Sequence, residues 1–372
     1  MPKILLFANT DWYLYNFRLS LAKELRRQGY EVILLSPPGD FQKRLQENGF
    51  QWIPFPLSRQ GTNPFSELYT VWRLVQIYRQ AQPVIVHHFT IKPVIYGSLA
   101  AHVVGIKGII NSITGLGHLF IDPRFITRVI RGLAKILYRT SLRHTQVIFE
   151  NPEDRDTFIQ NRLLKPSQTK LILGTGVDTD KFQPTTKSQG VPLVLFSSRL
   201  LASKGILEFV EAAQRLKQTG ANARFAIAGI PDPGNPASIS LEHIQSWQRA
   251  GFVEVWGWQE DMPSVLSQAD IFCLPSYREG VPSALLEACA SGLSIVTTDV
   301  PGCRDVVTNG VSGLLVPPKD SQALAKAIEA LLANSNLRTE MGKAGRRLAQ
   351  EKFSLEKITE QTLNVYQKVL GR

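Results

Sequence analysis

Cysteine is scarce in this chain, three in 372 residues, and Cys273, Cys289 and Cys303 show neither a metal-ligand nor a disulfide-framework spacing. A disulfide-stapled scaffold is therefore excluded, and a reducing cytosolic compartment is expected. Long apolar runs are missing as well. No uncharged stretch reaches the roughly 18 to 20 residues that span a bilayer, and the region 93 to 117 is interrupted by His102 and Lys107. Met1 to Phe7 is too short for a secretory signal and reads as a first strand. Neither a Gly-x-Gly-x-x-Gly nor a Walker signature occurs, so no dinucleotide or ATP site is indicated. Gly115-Leu-Gly117 is only a fragment of one.

Acidic residues are short in one half only. Residues 1 to 170 hold 22 Lys or Arg against 11 Asp or Glu, whereas residues 171 to 372 hold 20 of each, so the net charge of +11 lies in the first half. Such asymmetry suits nucleic acid or an anionic membrane. Arg124, Arg128, Arg131, Lys135, Arg139 and Arg143 recur every three or four residues and share one helical face. Phe125, Val129, Ile130, Leu133, Ile136, Leu137 and Leu142 supply an apolar side, which is the pattern of an interfacial helix. The competing account is a surface helix whose basic side is merely solvated.

The length calls for two domains. Short apolar strands at 3–8, 31–36 and 83–87 alternate with helical stretches at 18–28 and 65–80, which predicts a parallel sheet with crossover helices. A second series, at 192–196, 224–228, 253–256 and 271–274, repeats the pattern. The boundaries expected are 1–176 for the first domain, a Gly-, Thr- and Pro-rich connection over 177–190, a second domain over 191–354, and a C-terminal helix over 355–372 that returns to the first.

The segment Tyr277 to Gly292 reads Y-R-E-G-V-P-S-A-L-L-E-A-C-A-S-G and places Glu279 and Glu287 eight residues apart across a loop-to-helix junction. Pro282 suits the start of a helix over 282–291 and Gly292 its stop. The N–H groups from Gly280 and Val281 onward, with the positive end of the helix dipole, make an anion site, and each carboxylate can accept bonds from sugar hydroxyls. Arg199 and Lys204 follow the strand 192–197 in the loop Ser197-Ser198-Arg199-Leu-Leu-Ala-Ser-Lys204, where open α/β sheets bind ligands. Two Asp-x-Asp triplets, Asp154-Arg-Asp156 and Asp178-Thr-Asp180, stand in helix-start and connecting contexts and are read as cap and turn carboxylates.

This C-terminal block resembles that of glycosyltransferase family 4, which implies a GT-B fold: two Rossmann-like α/β/α domains with parallel sheets facing across a cleft. The segments around Asn9 to Tyr13, Phe17-Arg18-Leu19, His87-His88 to Pro93, Tyr96 to Ala100 and Asn111 to Gly117 resemble the branch that extends polyprenyl-diphosphate-linked saccharides. That branch includes bacterial N-acetylgalactosaminyltransferases and capsule or exopolysaccharide transferases. The resemblance implies a UDP-sugar donor, with Arg199 and Lys204 on its diphosphate, Ser198, Gly280, Val281 and Pro282 beside them, Glu279 on the sugar and Glu287 on the ribose. It implies retention, with reaction on the leaving-group face and no enzymic nucleophile.

Lys92 and Arg18 are candidates for the acceptor diphosphate, and Asn9 and His88 for acceptor binding; His87 and His88 follow a strand end and could face a cleft, but for at least one of them a satisfied structural histidine is the better reading. The family's glycine-rich first loop is replaced by aromatic residues over Asn9 to Asn16. Its N-domain histidine is replaced by Thr114, His118 or neither. No cofactor and no metal are expected. The partners expected are the donor, a polyprenyl-diphosphate glycolipid and an anionic membrane surface, not nucleic acid, with the protein peripheral on the inner face of the cell membrane. A transferase with another lipid or a soluble acceptor, and a sugar-nucleotide-binding relic without turnover, are the alternatives.

Overall fold

The computed structural model describes residues 1–57, 64–115, 132, 135–186 and 190–371. These form two compact units, one of Met1–Thr175 with Glu356–Arg372 and one of Gly176–Leu355.

In the first unit, β1 (Lys3–Phe7), β2 (Glu31–Ser36), β3 (Gln51–Pro54), β4 (Ile85–Phe89), β5 (Gly108–Ile113), β6 (Gln146–Phe149) and β7 (Thr169–Leu171) make a parallel sheet ordered β3-β2-β1-β4-β5-β6-β7. Strand alternation divides its core. Ile4 and Leu6 pack with Leu14 and Leu21 of the helix Asp11–Arg27 and with Ile358, Leu363 and Tyr366 of the helix Leu355–Val369. Leu5 and Phe7 face the other way, onto Leu74, Val75 and Tyr78 of the helix Pro64–Ala81. Each fully buried Leu or Ile contributes about 1.5 to 3 kcal/mol. Coverage of both faces explains why these strands are continuous apolar runs. The first helix starts seven residues earlier than its apolar pattern suggested, because Thr10 caps it by accepting the Tyr13 N–H at 3.1 Å.

The second unit carries β8 (Leu193–Ser197), β9 (Arg224–Ala228), β10 (Glu254–Gly257), β11 (Ile271–Leu274), β12 (Ser294–Thr298) and β13 (Gly313–Val316), again parallel, in the order β10-β9-β8-β11-β12-β13. The segment expected as the connection, 177–190, opens the second unit. The Val177 N–H donates to the Phe353 carbonyl at 2.8 Å, and the Val177 carbonyl accepts from Leu355 N–H at 3.0 Å. Arg346 donates to the carbonyls of Thr179 and Phe182 at 2.9 and 2.6 Å. Gly, Thr and Pro make the segment irregular, and backbone bonds to distant residues tie it down.

Candidate functional site

The second unit builds its site at the carboxyl ends of β8, β11 and β12. After β8 the chain makes a short 3-10 turn, Ala202–Lys204, and enters the helix Ile206–Gln218 through Gly205 at φ +74°. A Cβ at Gly205 would lie 2.0 Å from the Pro275 carbonyl oxygen, so only glycine lets the two loops meet. Tyr277 fastens the contact: its N–H donates to the Ser203 carbonyl at 2.9 Å, and its hydroxyl to Glu208 at 2.6 Å.

Lys204 Nζ thereby reaches Glu279 Oε1 at 2.5 Å, and Ser276 Oγ donates to the same oxygen at 2.7 Å. The lysine and glutamate side chains are only 17% and 10% exposed. From behind, the Ser276 carbonyl accepts the Thr298 hydroxyl, and the Glu279 N–H donates to the Pro301 carbonyl at 3.2 Å. Gly302 closes the floor at φ +81°, where a Cβ would fall 2.8 Å from that of Glu279.

The helix predicted over 282–291 runs over Ser283–Ala290, with Pro282 one position earlier than expected, at the N-cap. Leu285 and Leu286 both donate to the Pro282 carbonyl, at 3.0 and 3.3 Å. Ser283 and Ala284 come too early for a carbonyl four residues back, so their N–H groups are the donors a helix start offers an anion. Glu287 sits in the next turn. Burial pushes its carboxyl up to about 7, with the Lys181 charge working in the opposite direction. Its carboxyl has no hydrogen-bond partner among the described residues.

Arg199 behaves differently from Lys204. It is 56% exposed and pairs with Asp232, in the loop after β9, at 2.6 Å. Ser198 precedes it, its carbonyl so near Gly229 that a Cβ there would lie 1.9 Å away. Sequence reasoning missed Asp232 and Ser276. Nothing local marks Asp232, whereas Ser276 stood three residues before Glu279. In the second triplet, Asp178 Oδ1 accepts the N–H groups of Asp180 and Lys181 at 3.0 and 2.9 Å. The buried Asp154 lies in the first turn of the helix Pro152–Gln160, and Asp156 pairs with Arg155 at 2.9 Å.

In the first unit the expected acceptor residues separate. Arg18 is 6% exposed, with Nη2 2.5 Å from the Tyr13 hydroxyl, its guanidinium 4.4 Å from the Phe89 ring centre and Glu150 at 3.8 Å. Tyr13, Phe89 and Glu150 thus surround its charge. His88 is fully buried, with Nε2 3.0 Å from the Tyr78 hydroxyl and Nδ1 2.8 Å from Asn111 Oδ1. Burial holds its ring pKa down at about 4. His87 is likewise occupied, by Tyr366 at 2.7 Å and Ser112 at 2.8 Å.

Lys92 is partly buried and bonds Glu67 at 2.6 Å. It lies between Thr90, strained at φ +71° with a buried hydroxyl that has no partner among the described residues, and the π-helical turn Pro93–Gly97. Both features mark the carboxyl end of β4 as irregular. Asn9 and Thr114, half-buried, follow β1 and β5 at the same edge. His118, Arg124, Arg128 and Arg131 lie outside the described residues. Of the remaining cations, Lys135 reaches Asn161 Oδ1 at 2.6 Å, and Arg139 and Arg143 are exposed. Leu142 and Leu137 pack inward on Phe149 and Phe158, so that part of the expected bilayer-facing side serves the protein's own core.

Comparison with known proteins points one way. Residues 177–348 match the family model described as glycosyl transferases group 1, and residues 3–151 match that of glycosyl transferase 4-like. The chain is 31% identical to the N,N'-diacetylbacillosaminyl-diphospho-undecaprenol alpha-1,3-N-acetylgalactosaminyltransferase of Campylobacter jejuni, over 96% of either chain. It is 25% identical, over 92% of its length and 91% of the relative's, to the capsular polysaccharide biosynthesis glycosyltransferase CapM of Staphylococcus aureus. Among solved structures, Anabaena Alr3699/HepE in complex with UDP-glucose shares the fold with a TM-score of 0.79 at 19% identity, over 99% of this chain and 100% of that one.

Proposed function

The chain belongs to glycosyltransferase family 4, and from that premise we propose that it moves a hexose or N-acetylhexosamine from a UDP-sugar to a saccharide carried on a polyprenyl diphosphate. The observation that carries this reading is the sheltered Lys204–Glu279 pair beside an open helix start. The donor diphosphate lies against Lys204, Arg199 and the N–H groups of Ser283 and Ala284, which oppose the charge that grows as the glycosidic bond breaks. Binding exchanges the Glu279 contact of Lys204 for a phosphate oxygen and leaves the Glu279 carboxylate to orient sugar hydroxyls. Glu287, nearly balanced between its two protonation states at neutral pH, bonds the ribose hydroxyls.

The acceptor hydroxyl attacks on the leaving-group face. The sugar's anomeric carbon exchanges its phosphate oxygen for the acceptor oxygen, the acceptor proton passes to the diphosphate, and UDP departs. Configuration is retained without an enzymic nucleophile, and protein cations take the part that a metal plays elsewhere. In this reading Lys92, near the irregular end of β4 and now held by Glu67, exchanges that carboxylate for the acceptor diphosphate, with Arg18 the other candidate.

The acceptor assignment is supported by the relative in Campylobacter, whose name specifies an undecaprenol diphosphate, and the donor by the UDP-glucose complex of the shared fold. No described helix is long and apolar enough to cross a membrane. Peripheral attachment at the inner membrane face, through the cations between Arg124 and Arg143, completes the proposal. A panel of UDP-sugars incubated with extracted polyprenyl-diphosphate glycolipids tests it. One donor should be consumed only when glycolipid is present, and nuclear magnetic resonance should show the donor's anomeric configuration in the product. Consumption indifferent to the lipid, or an inverted product, overturns it.

A further inference from the structure

The helix Pro64–Ala81 turns four large apolar side chains outward: Phe65 is 84% exposed, Leu68 70%, Tyr69 58% and Trp72 55%. Their spacing of three, four and seven residues aligns them in one stripe over two turns, and the Tyr69 and Trp72 rings stack with centroids 5.7 Å apart. This is not a core face left ajar, because Leu74, Val75 and Tyr78 of the same helix are already buried. The outward side carries no acid. Glu67, the helix's one acidic residue, is turned to Lys92 Nζ at 2.6 Å, and the exposed side continues with Gln76, Arg79 and Gln80. Beside the stripe, Tyr69 joins Pro37, Pro38, Phe55, Pro56 and Leu57 along a groove of about 520 Å³.

A contiguous exposed apolar patch marks an interaction surface. We propose that this stripe is the face by which the first unit enters the headgroup boundary of an anionic bilayer. The inference rests on the membrane attachment given under the proposed function and assigns its apolar anchor to new residues. Tyr and Trp suit that boundary because each joins an apolar body to a polar end. Charge favours a bilayer over a second copy: residues 1 to 170 carry 11 more cations than anions, which repels a like unit and attracts anionic lipid. The described part of the cation row offers little apolar surface of its own, since Leu137 and Leu142 pack on the core and only Ile136, at 65%, is exposed among its described apolar residues.

Co-sedimentation with vesicles of phosphatidylcholine and phosphatidylglycerol tests the assignment, using the parent and a variant carrying Phe65→Ser, Leu68→Ser and Trp72→Ser. At about 0.5 M salt, where charge attraction is screened, the variant should partition about tenfold less than the parent and bind UDP equally. Brominated lipid should quench the parent's fluorescence more than that of Trp72→Phe. Equal partition of parent and variant, or equal quenching, overturns the assignment. Binding that salt abolishes and the serines do not alter overturns it while leaving the cation row in place, and a parent that ignores vesicles overturns both. A lipid-free parent dimer that the serine variant cannot form makes the stripe a self-association surface and overturns it too.

Discussion

Lys204 Nζ and Glu279 Oε1 meet at 2.5 Å across 75 residues of sequence, with Ser276 Oγ on the same carboxylate oxygen. The pair ties the loop after β8 to the loop after β11, and under the proposed function its members have different targets once a donor enters. Glu279→Gln keeps the shape and loses the carboxylate, so turnover should fall by about 10²- to 10³-fold while UDP affinity changes little. Lys204→Ala should weaken UDP binding and turnover together, and leaving Glu279 sheltered without its cation should cost about 1 to 3 kcal/mol of stability. Steady-state kinetics, UDP titration and denaturant unfolding read these separately. Unchanged transfer by Glu279→Gln contradicts its assignment.

Glu287 predicts a pH dependence of stability. Its carboxyl titrates near 4.5 when unfolded and near about 7 when folded. Between those values the folded state holds a proton that the unfolded state has released, so stability falls as pH rises through the window. His88 acts in the opposite sense: held neutral to about 4 against an ordinary 6.5, it costs stability as pH falls from 6.5 toward 4. Glu287→Gln should remove only the first effect, gaining about 1 to 3 kcal/mol over the parent at about pH 8 and little at about pH 4. Parallel melting-temperature profiles for parent and variant would contradict this.

Charge compensation by protein cations predicts that transfer survives EDTA. Asp178 and Asp180 belong to a turn and Asp154 and Asp156 to a helix start, while Lys204 and Arg199 stand at the carboxyl end of β8. Activity lost on chelation and restored by manganese would overturn this.

Strands were legible because sheets buried on both faces demand unbroken apolar runs, as in Ile271–Leu274, and the helix Ser283–Ala290 was legible from its proline and glycine punctuation. Lys204 and Glu279 could be named for the same reason, since loop position after a strand and helix start is a local property. Partners distant in sequence could not. Tyr13, Phe89 and Glu150 enclose Arg18 from three places in the chain, and Asp232 takes Arg199 from another strand's loop. A structural role for at least one of the histidines at 87 and 88 was legible, but their partners Tyr366 and Tyr78 were not. For residues 177–190 composition shows the irregularity but not the bonds with Phe353, Leu355 and Arg346 that fix the segment.

The most direct measurement of the central claim is transfer of a labelled sugar from UDP to extracted polyprenyl-diphosphate glycolipid, by the parent and by Glu279→Gln at matched UDP occupancy. The account predicts that label enters the lipid phase with the parent and is reduced by about two orders of magnitude or more in the variant. Label that never enters the lipid phase from any UDP-sugar, or that enters equally with both proteins, would contradict it.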